Sequence, residues 1–130
     1  GTLRGIEVNA ADIPDMVPAI AVTAAYASGK TVIHSAERLR IKESDRIKTT
    51  IAILNAMGVK TEELPDGMVI FGGKPKGAVI DGANDHRIVM AAAVAAAFAE
   101  GESIIKGCEA VNKSYPEFFG DFRKIGGKTE

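Results

Sequence analysis

Apolar residues recur at Ile47, Ile51, Leu54 and Met57, spaced by four, three and three, which predicts a helix with one buried face. The helix begins near Ser44, and Gly58 stops it. Upstream, residues 12–28 predict another helix, with Asp12 as N-cap, Pro14 in the first turn and Gly29 past the end. A short β-branched strand follows at 31–35 (TVIHS). Residues 60–64 and 68–71 flank Pro65-Asp66-Gly67 and read as a hairpin. Beyond it come a strand at 78–81, a helix at 85–99, a strand at 103–106 and a helix at 115–125. The longest apolar run, 88–99, has twelve residues. A membrane span needs ~20, so this run reads as a core helix.

The order of elements repeats. Residues 22–29 (VTAAYASG) match 94–101 (VAAAFAEG) at an offset of 72, which also pairs Val32-Ile33 with Ile104-Ile105 and Glu37 with Glu109. Residues 57–62 (MGVKTE) match 126–130 (GGKTE) after the offset shifts by four. An ordered series of this kind predicts an internal duplication, with units of approximately 1–73 and 74–130. Little sequence follows Gly127, so the second unit is expected to lack its hairpin.

Composition narrows the chemistry. The 130 residues are 46% hydrophobic and 25% charged, as in ordinary globular proteins, and the net charge is −1. No global field draws in nucleic acid or an anionic membrane, so anion binding has to come from local clusters. The single cysteine, Cys108, excludes an internal disulfide framework and suits a reducing cytoplasm. The opening residues do not read as a signal peptide. His34 and His86 are the only histidines and lack zinc-like partners in sequence. Neither a P-loop nor a dinucleotide fingerprint is found. Met16, Met57, Met68 and Met90 read as core filling, and Cys108 as a small buried residue.

Charge crowds three predicted helix starts. Arg38 to Arg46 (RLRIKESDR), Asn84-Asp85-His86-Arg87 and Asn112-Lys113-Ser114-Tyr115-Pro116 each mix ionisable groups just ahead of a helix. An opening helical turn carries unpaired N–H groups and the positive end of the macrodipole, so it already favours anions. Lys42, Arg46, Arg87 and Lys113 there make candidate seats for a phosphate or carboxylate. Glu43, Asp45, Asp85 and His86 add groups able to move protons. The plainer readings are a solvated loop with a Glu43–Arg46 pair, an Asx-capped helix start with His86 exposed, and Asp15 as ordinary first-turn chemistry. Against them, Arg87 and Lys113 are cations at the wrong end of a helix dipole, a local misfit of the kind found at functional sites. The four cations are expected on one edge, around a shared concavity.

Together, Ile13-Pro14-Asp15, Arg40-Ile-Lys-Glu-Ser-Asp-Arg46, Asn84-Asp-His-Arg87 and Lys113-Ser-Tyr-Pro116 resemble the 5-enolpyruvylshikimate-3-phosphate synthase family, in its order and approximate spacing. The resemblance covers essentially the whole chain. One departure is Arg38, where some members carry Asn.

It implies an α/β (α+β) fold of two repeated βαβαββ-type units, part of one domain of the enolpyruvyl transferase inside-out α/β barrel. The chain would be a C-terminal part, with the missing N-terminal portion of the same enzyme as its structural partner. The implied reaction moves the enolpyruvyl group of phosphoenolpyruvate to the 5-hydroxyl of shikimate 3-phosphate, releasing phosphate, with no cofactor and no metal. By resemblance Asp15 lies at the target hydroxyl, Glu43 handles the methylene proton and Lys42 bridges the reacting groups. Arg46, Arg87 and Lys113 hold the phosphate and carboxylate, supported by His86. The isolated chain is expected to be inactive. The other reading is a non-catalytic anion- or RNA-binding βαβαββ module. Near-neutral charge and a chain with two Tyr, five Phe and no Trp weigh against that.

Overall fold

A computed structural model describes residues 5–42, 44–124 and 127, the side chain of Lys113 excepted. The elements are β1 (Glu7–Asn9), α1 (Val17–Ala25), β2 (Lys30–His34), α2 (Arg46–Ala56), β3 (Lys60–Leu64) and β4 (Gly67–Phe71), followed by β5 (Val79–Asp81), α3 (His86–Phe98), β6 (Ile104–Lys106) and α4 (Phe118–Lys124). Single 3-10 segments occupy Pro14–Met16, Glu37–Ile41 and Cys108–Lys113. One sheet has the order β1-β2-β4-β3, with β1 parallel to β2 and the other pairs antiparallel. The second sheet is the parallel pair β5-β6.

The offset of 72 holds at atomic detail. Glu7 pairs with Val32 in the first sheet, and Val79 with Ile104 in the second. Ala10 N–H bonds the His34 carbonyl at 2.9 Å, and Gly82 N–H bonds the Lys106 carbonyl at the same distance. Gly5 and Gly77 press equally close: a Cβ on either would lie 2.2 or 2.0 Å from the carbonyl oxygen of Lys30 or Glu102. Gly29 and Gly101 take φ of 83° and 84°, the left-handed turn that leads each α-helix into its strand.

Three apolar clusters join these parts. α1 and α2 cover one face of the four-stranded sheet through Val17, Ala21, Ile33, Leu39, Ile47, Leu54, Met68 and Ile70. A second cluster seats α3 against α1 and α2 through Val22, Ile53, Met57, Ile88 and Ala92. Alanine along α3 permits that close approach, and Tyr26 pins it by donating to the Ala95 carbonyl at 2.6 Å. Val89, Ala110 and Val111 form a small third cluster beside Phe118 and Phe119. None of the helices, among the described residues, is long and apolar enough to cross a membrane.

Several expectations change. Residues 12–28 do not form one helix capped by Asp12. Pro14 and Pro18 each lack an N–H, so the segment starts twice, as a 3-10 turn and then as α1, and the Asp12 side chain caps neither. The last helix begins at Phe118 and not at Tyr115, because Pro116 disfavours the helical region for the residue before it; Ile125 lies outside the described residues. Met16 is 54% exposed instead of filling the core, and Cys108 is only half-buried. Strand β1 and the segments Glu37–Ile41 and Cys108–Lys113 are additions to the sequence reading.

Candidate active site

The site forms where the starts of α1, α2 and α3 meet. Asp45 caps α2 by accepting from the amides of Ile47 and Lys48, both at 3.2 Å. Its other oxygen accepts from Arg40 Nη1 at 3.1 Å. Arg40 also binds Glu63 at 2.8 Å and the Leu64 carbonyl at 2.8 Å, so the 37–45 segment is tied to the hairpin. The hydrogen bond from Arg40, and after it one from Lys48 Nζ at 3.3 Å, hold the Glu63 carboxyl below the usual range.

Arg46, the first residue of α2, is the centre. Its side chain is 2% exposed. Nε and Nη2 meet the two oxygens of Asp85 at 2.9 and 3.2 Å, and Nη1 reaches Asp15 Oδ1 at 3.2 Å. Asp85 is wholly buried; it also accepts from Ser44 Oγ at 2.7 Å and caps α3 through the Arg87 amide at 3.0 Å. Burial alone would raise its carboxyl. The hydrogen bonds from Arg46 and Ser44, the Arg46 charge and the Arg87 amide outweigh that and hold it below the ordinary carboxylate value.

Asp15 stands at the front, about half exposed, in the turn ahead of α1. Besides Arg46, Lys42 Nζ and Arg87 Nη2 each lie 4.0 Å from its oxygens. Three cations from three segments therefore surround one carboxylate. With Asp85 included, the described cluster keeps one net positive charge, which suits a multiply charged anion better than a neutral ligand. Asp15 and Arg87 also edge a groove of about 200 Å³ between α1 and α3, lined mainly by Pro18, Val22, Met90, Ala91 and Val94.

The predicted residues fall as follows. Asp15, Lys42, Arg46 and Arg87 converge. His86 is half-buried as the first residue of α3. Glu43 and the Lys113 side chain lie outside the described residues; the Lys113 backbone closes the 3-10 segment five residues ahead of α4, not at a helix start. Arg46 pairs with Asp15 and Asp85. Asp85, read as able to move a proton, is enclosed among donors. Ser44 carried no signal beyond its place ahead of a helix. Asp15 and Arg87 occupy equivalent positions, 72 residues apart, in the two copies. Among the described residues no cluster of His, Cys, Asp and Glu could hold a metal ion.

The family profile described as EPSP synthase (3-phosphoshikimate 1-carboxyvinyltransferase) matches residues 1–122. A 3-phosphoshikimate 1-carboxyvinyltransferase of Methanocella arvoryzae is 49% identical over 130 residues, all of this chain and 31% of the relative. One from Thermococcus kodakarensis is 49% identical over 125 residues, 96% of this chain and 31% of the relative. The solved structure of an EPSP synthase from Acinetobacter baumannii superposes with a TM-score of 0.91 at 35% identity, covering 99% of this chain and 32% of that one. The chain thus spans about a third of the length of the relatives it matches.

Proposed function

The chain belongs to the EPSP synthase family, and from that membership we propose that it is part of a cytoplasmic 3-phosphoshikimate 1-carboxyvinyltransferase, a partial domain with repeat units of approximately 1–73 and 74–130. The complete enzyme moves the 1-carboxyvinyl group of phosphoenolpyruvate to the 5-hydroxyl of shikimate 3-phosphate and releases phosphate. The carrying observation is Asp15, with Arg46 at 3.2 Å and Lys42 and Arg87 at 4.0 Å.

Addition forms a bond from the hydroxyl oxygen to C2 of phosphoenolpyruvate, removes the hydroxyl proton and delivers a proton to C3. Elimination takes a proton back from C3 as the C2–O bond to phosphate breaks. Two separately placed acid–base groups are required. Asp15, exposed on one side and held by cations on the other, accepts the hydroxyl proton. Glu43 exchanges the proton at C3. Lys42 bridges the reacting groups, while Arg46, Arg87 and Lys113, supported by His86, hold the phosphate and carboxylate. The substrates supply the bonds that change, and these side chains suffice without a cofactor.

Alone, the 130 residues leave Asp15, Lys42 and Arg87 partly exposed, and an exposed ion pair contributes only ~0–1 kcal/mol. The active site also needs the rest of the polypeptide to exclude water. The direct test is phosphate release with both substrates. It compares the isolated chain with a full-length enzyme in which these residues replace the corresponding segment of the Methanocella arvoryzae relative. Turnover in the chimera and none in the isolated chain is expected. A folded chimera without turnover refutes the assignment.

A further inference from the structure

The buried carboxylate behind the site has no role in that scheme, yet every group it touches belongs to a segment that carries one. Asp85 Oδ2 accepts from Ser44 Oγ at 2.7 Å and Arg46 Nε at 2.9 Å. Oδ1 accepts from the Arg87 amide at 3.0 Å and Arg46 Nη2 at 3.2 Å. Both oxygens are thus doubly engaged, and the residue is 0% exposed. A group so enclosed neither meets substrate nor trades protons with it.

We infer that Asp85 is a positioning residue: it clamps the guanidinium of Arg46 side-on and registers the starts of α2 and α3 against each other. Nε and Nη2 are taken, so Nη1 faces Asp15 and the front of the site. Rotation of Arg46 about its last torsions would break two charge-assisted bonds at once, which is what makes a side-on pair directional. The same carboxylate caps α3 and so fixes where Arg87 leaves its helix.

In the first copy a turn closes at the equivalent place without a carboxylate. The equivalent position in the first copy is Ile13, and Arg46 answers to Phe118. Both copies close a β-turn there: Ile13 N–H bonds the Ala10 carbonyl at 3.1 Å, as Asp85 N–H bonds that of Gly82 at 3.0 Å, although only the second turn takes its central residues, Ala83 and Asn84, to positive φ. One copy builds the turn with an apolar residue. The other has a buried acid there, joined to a buried cation, where the candidate site lies.

This assignment rests on the activity proposed above, and its test separates the two. In the chimera, Asp85→Asn should lower kcat ~100-fold, the cost of a misplaced group, with KM changed only a few-fold. Against an Arg46→Gln background, the same substitution should change kcat less than ~3-fold, because its effect passes through Arg46. Equal losses in both backgrounds would overturn the inference. Breaking one half of a buried pair can prevent folding, whereas removing both charges is often tolerated. If Asp85→Asn does not fold, the double variant compared with Arg46→Gln alone decides: equal kcat supports the clamp, and a further tenfold loss overturns it. Independently of activity, NMR of the 130-residue chain should show a slowly exchanging Arg46 Nε–H, identified by its loss in Arg46→Gln. That signal should be lost to fast exchange in Asp85→Asn. An unchanged signal overturns the inference even where the chimera is active, while an inactive wild-type chimera removes only the proposed reaction.

Discussion

Replacing Asp15 by Asn should move turnover and anion affinity in opposite directions. The carboxylate lies 3.2 Å from Arg46 Nη1 and 4.0 Å from both Lys42 Nζ and Arg87 Nη2. An anion held by those cations would lie roughly 5 Å from it, and two unit charges at that distance repel by ~0.8 kcal/mol in water-like surroundings. The half-exposed position of Asp15 justifies the high dielectric. Removing the charge should therefore tighten binding of inorganic phosphate to the 130-residue chain about fourfold, because each 1.4 kcal/mol is tenfold. In the chimera the same variant loses its proton acceptor, and kcat should fall by ~10²–10⁴. Calorimetric or NMR titration with phosphate at low salt reads the first effect, and it should shrink as salt screens the cluster. Weaker phosphate binding in Asp15→Asn would refute the electrostatic reasoning, because the carboxylate would then be organising the cations more than opposing the anion.

Glu43→Gln should cut kcat in the chimera by ~10²–10⁴ with a much smaller change in KM, since Gln keeps the shape without the proton; steady-state kinetics within a few-fold of wild type would remove Glu43 from that role. Gly5→Ala and Gly77→Ala should each destabilise the chain by ~1–3 kcal/mol, because the new Cβ meets a backbone carbonyl, of Lys30 or Glu102; thermal denaturation checks both. Acid should weaken the fold through Asp85: its folded-state carboxyl is held below the unfolded value, so its contribution is complete above about pH 4 and is lost as pH falls through the depressed value. A Tm that stays flat from pH 6 to pH 2 would contradict this.

Much of the fold was legible because periodicity reports burial directly. Ile47, Ile51, Leu54 and Met57 are all buried as their spacing requires, and the Asp66-Gly67 turn closes the hairpin. Less legible were features set by missing donors or by tertiary contact. Three residues at Glu7–Asn9 are too few to show alternation, and pairing with β2 makes them a strand. Pro18 looks tolerable near a helix start, but it removes the bond that would have joined two turns. The site divides in the same way. Crowded charges at helix starts could be seen in one dimension, but the meeting of Asp15 with Arg46 spans 31 residues and depends on the packing of α1 against α2. For Asp85, sequence shows a good N-cap; only the fold reveals that Arg46 shares its burial.

Asp15 and Arg87, twin positions in the two copies that meet across the site, also bear on its history. Copying a segment copies its charges, so at the moment of duplication these positions held the same residue. Whatever that residue was, it could not have supplied both halves of the opposed contact that now joins Asp15 to Arg87. An opposed pair at twin positions can arise only once one copy has drifted from the other. Shared registers, glycine turns and backbone bonds belong to the older inheritance, and the polarity of this site is the younger acquisition.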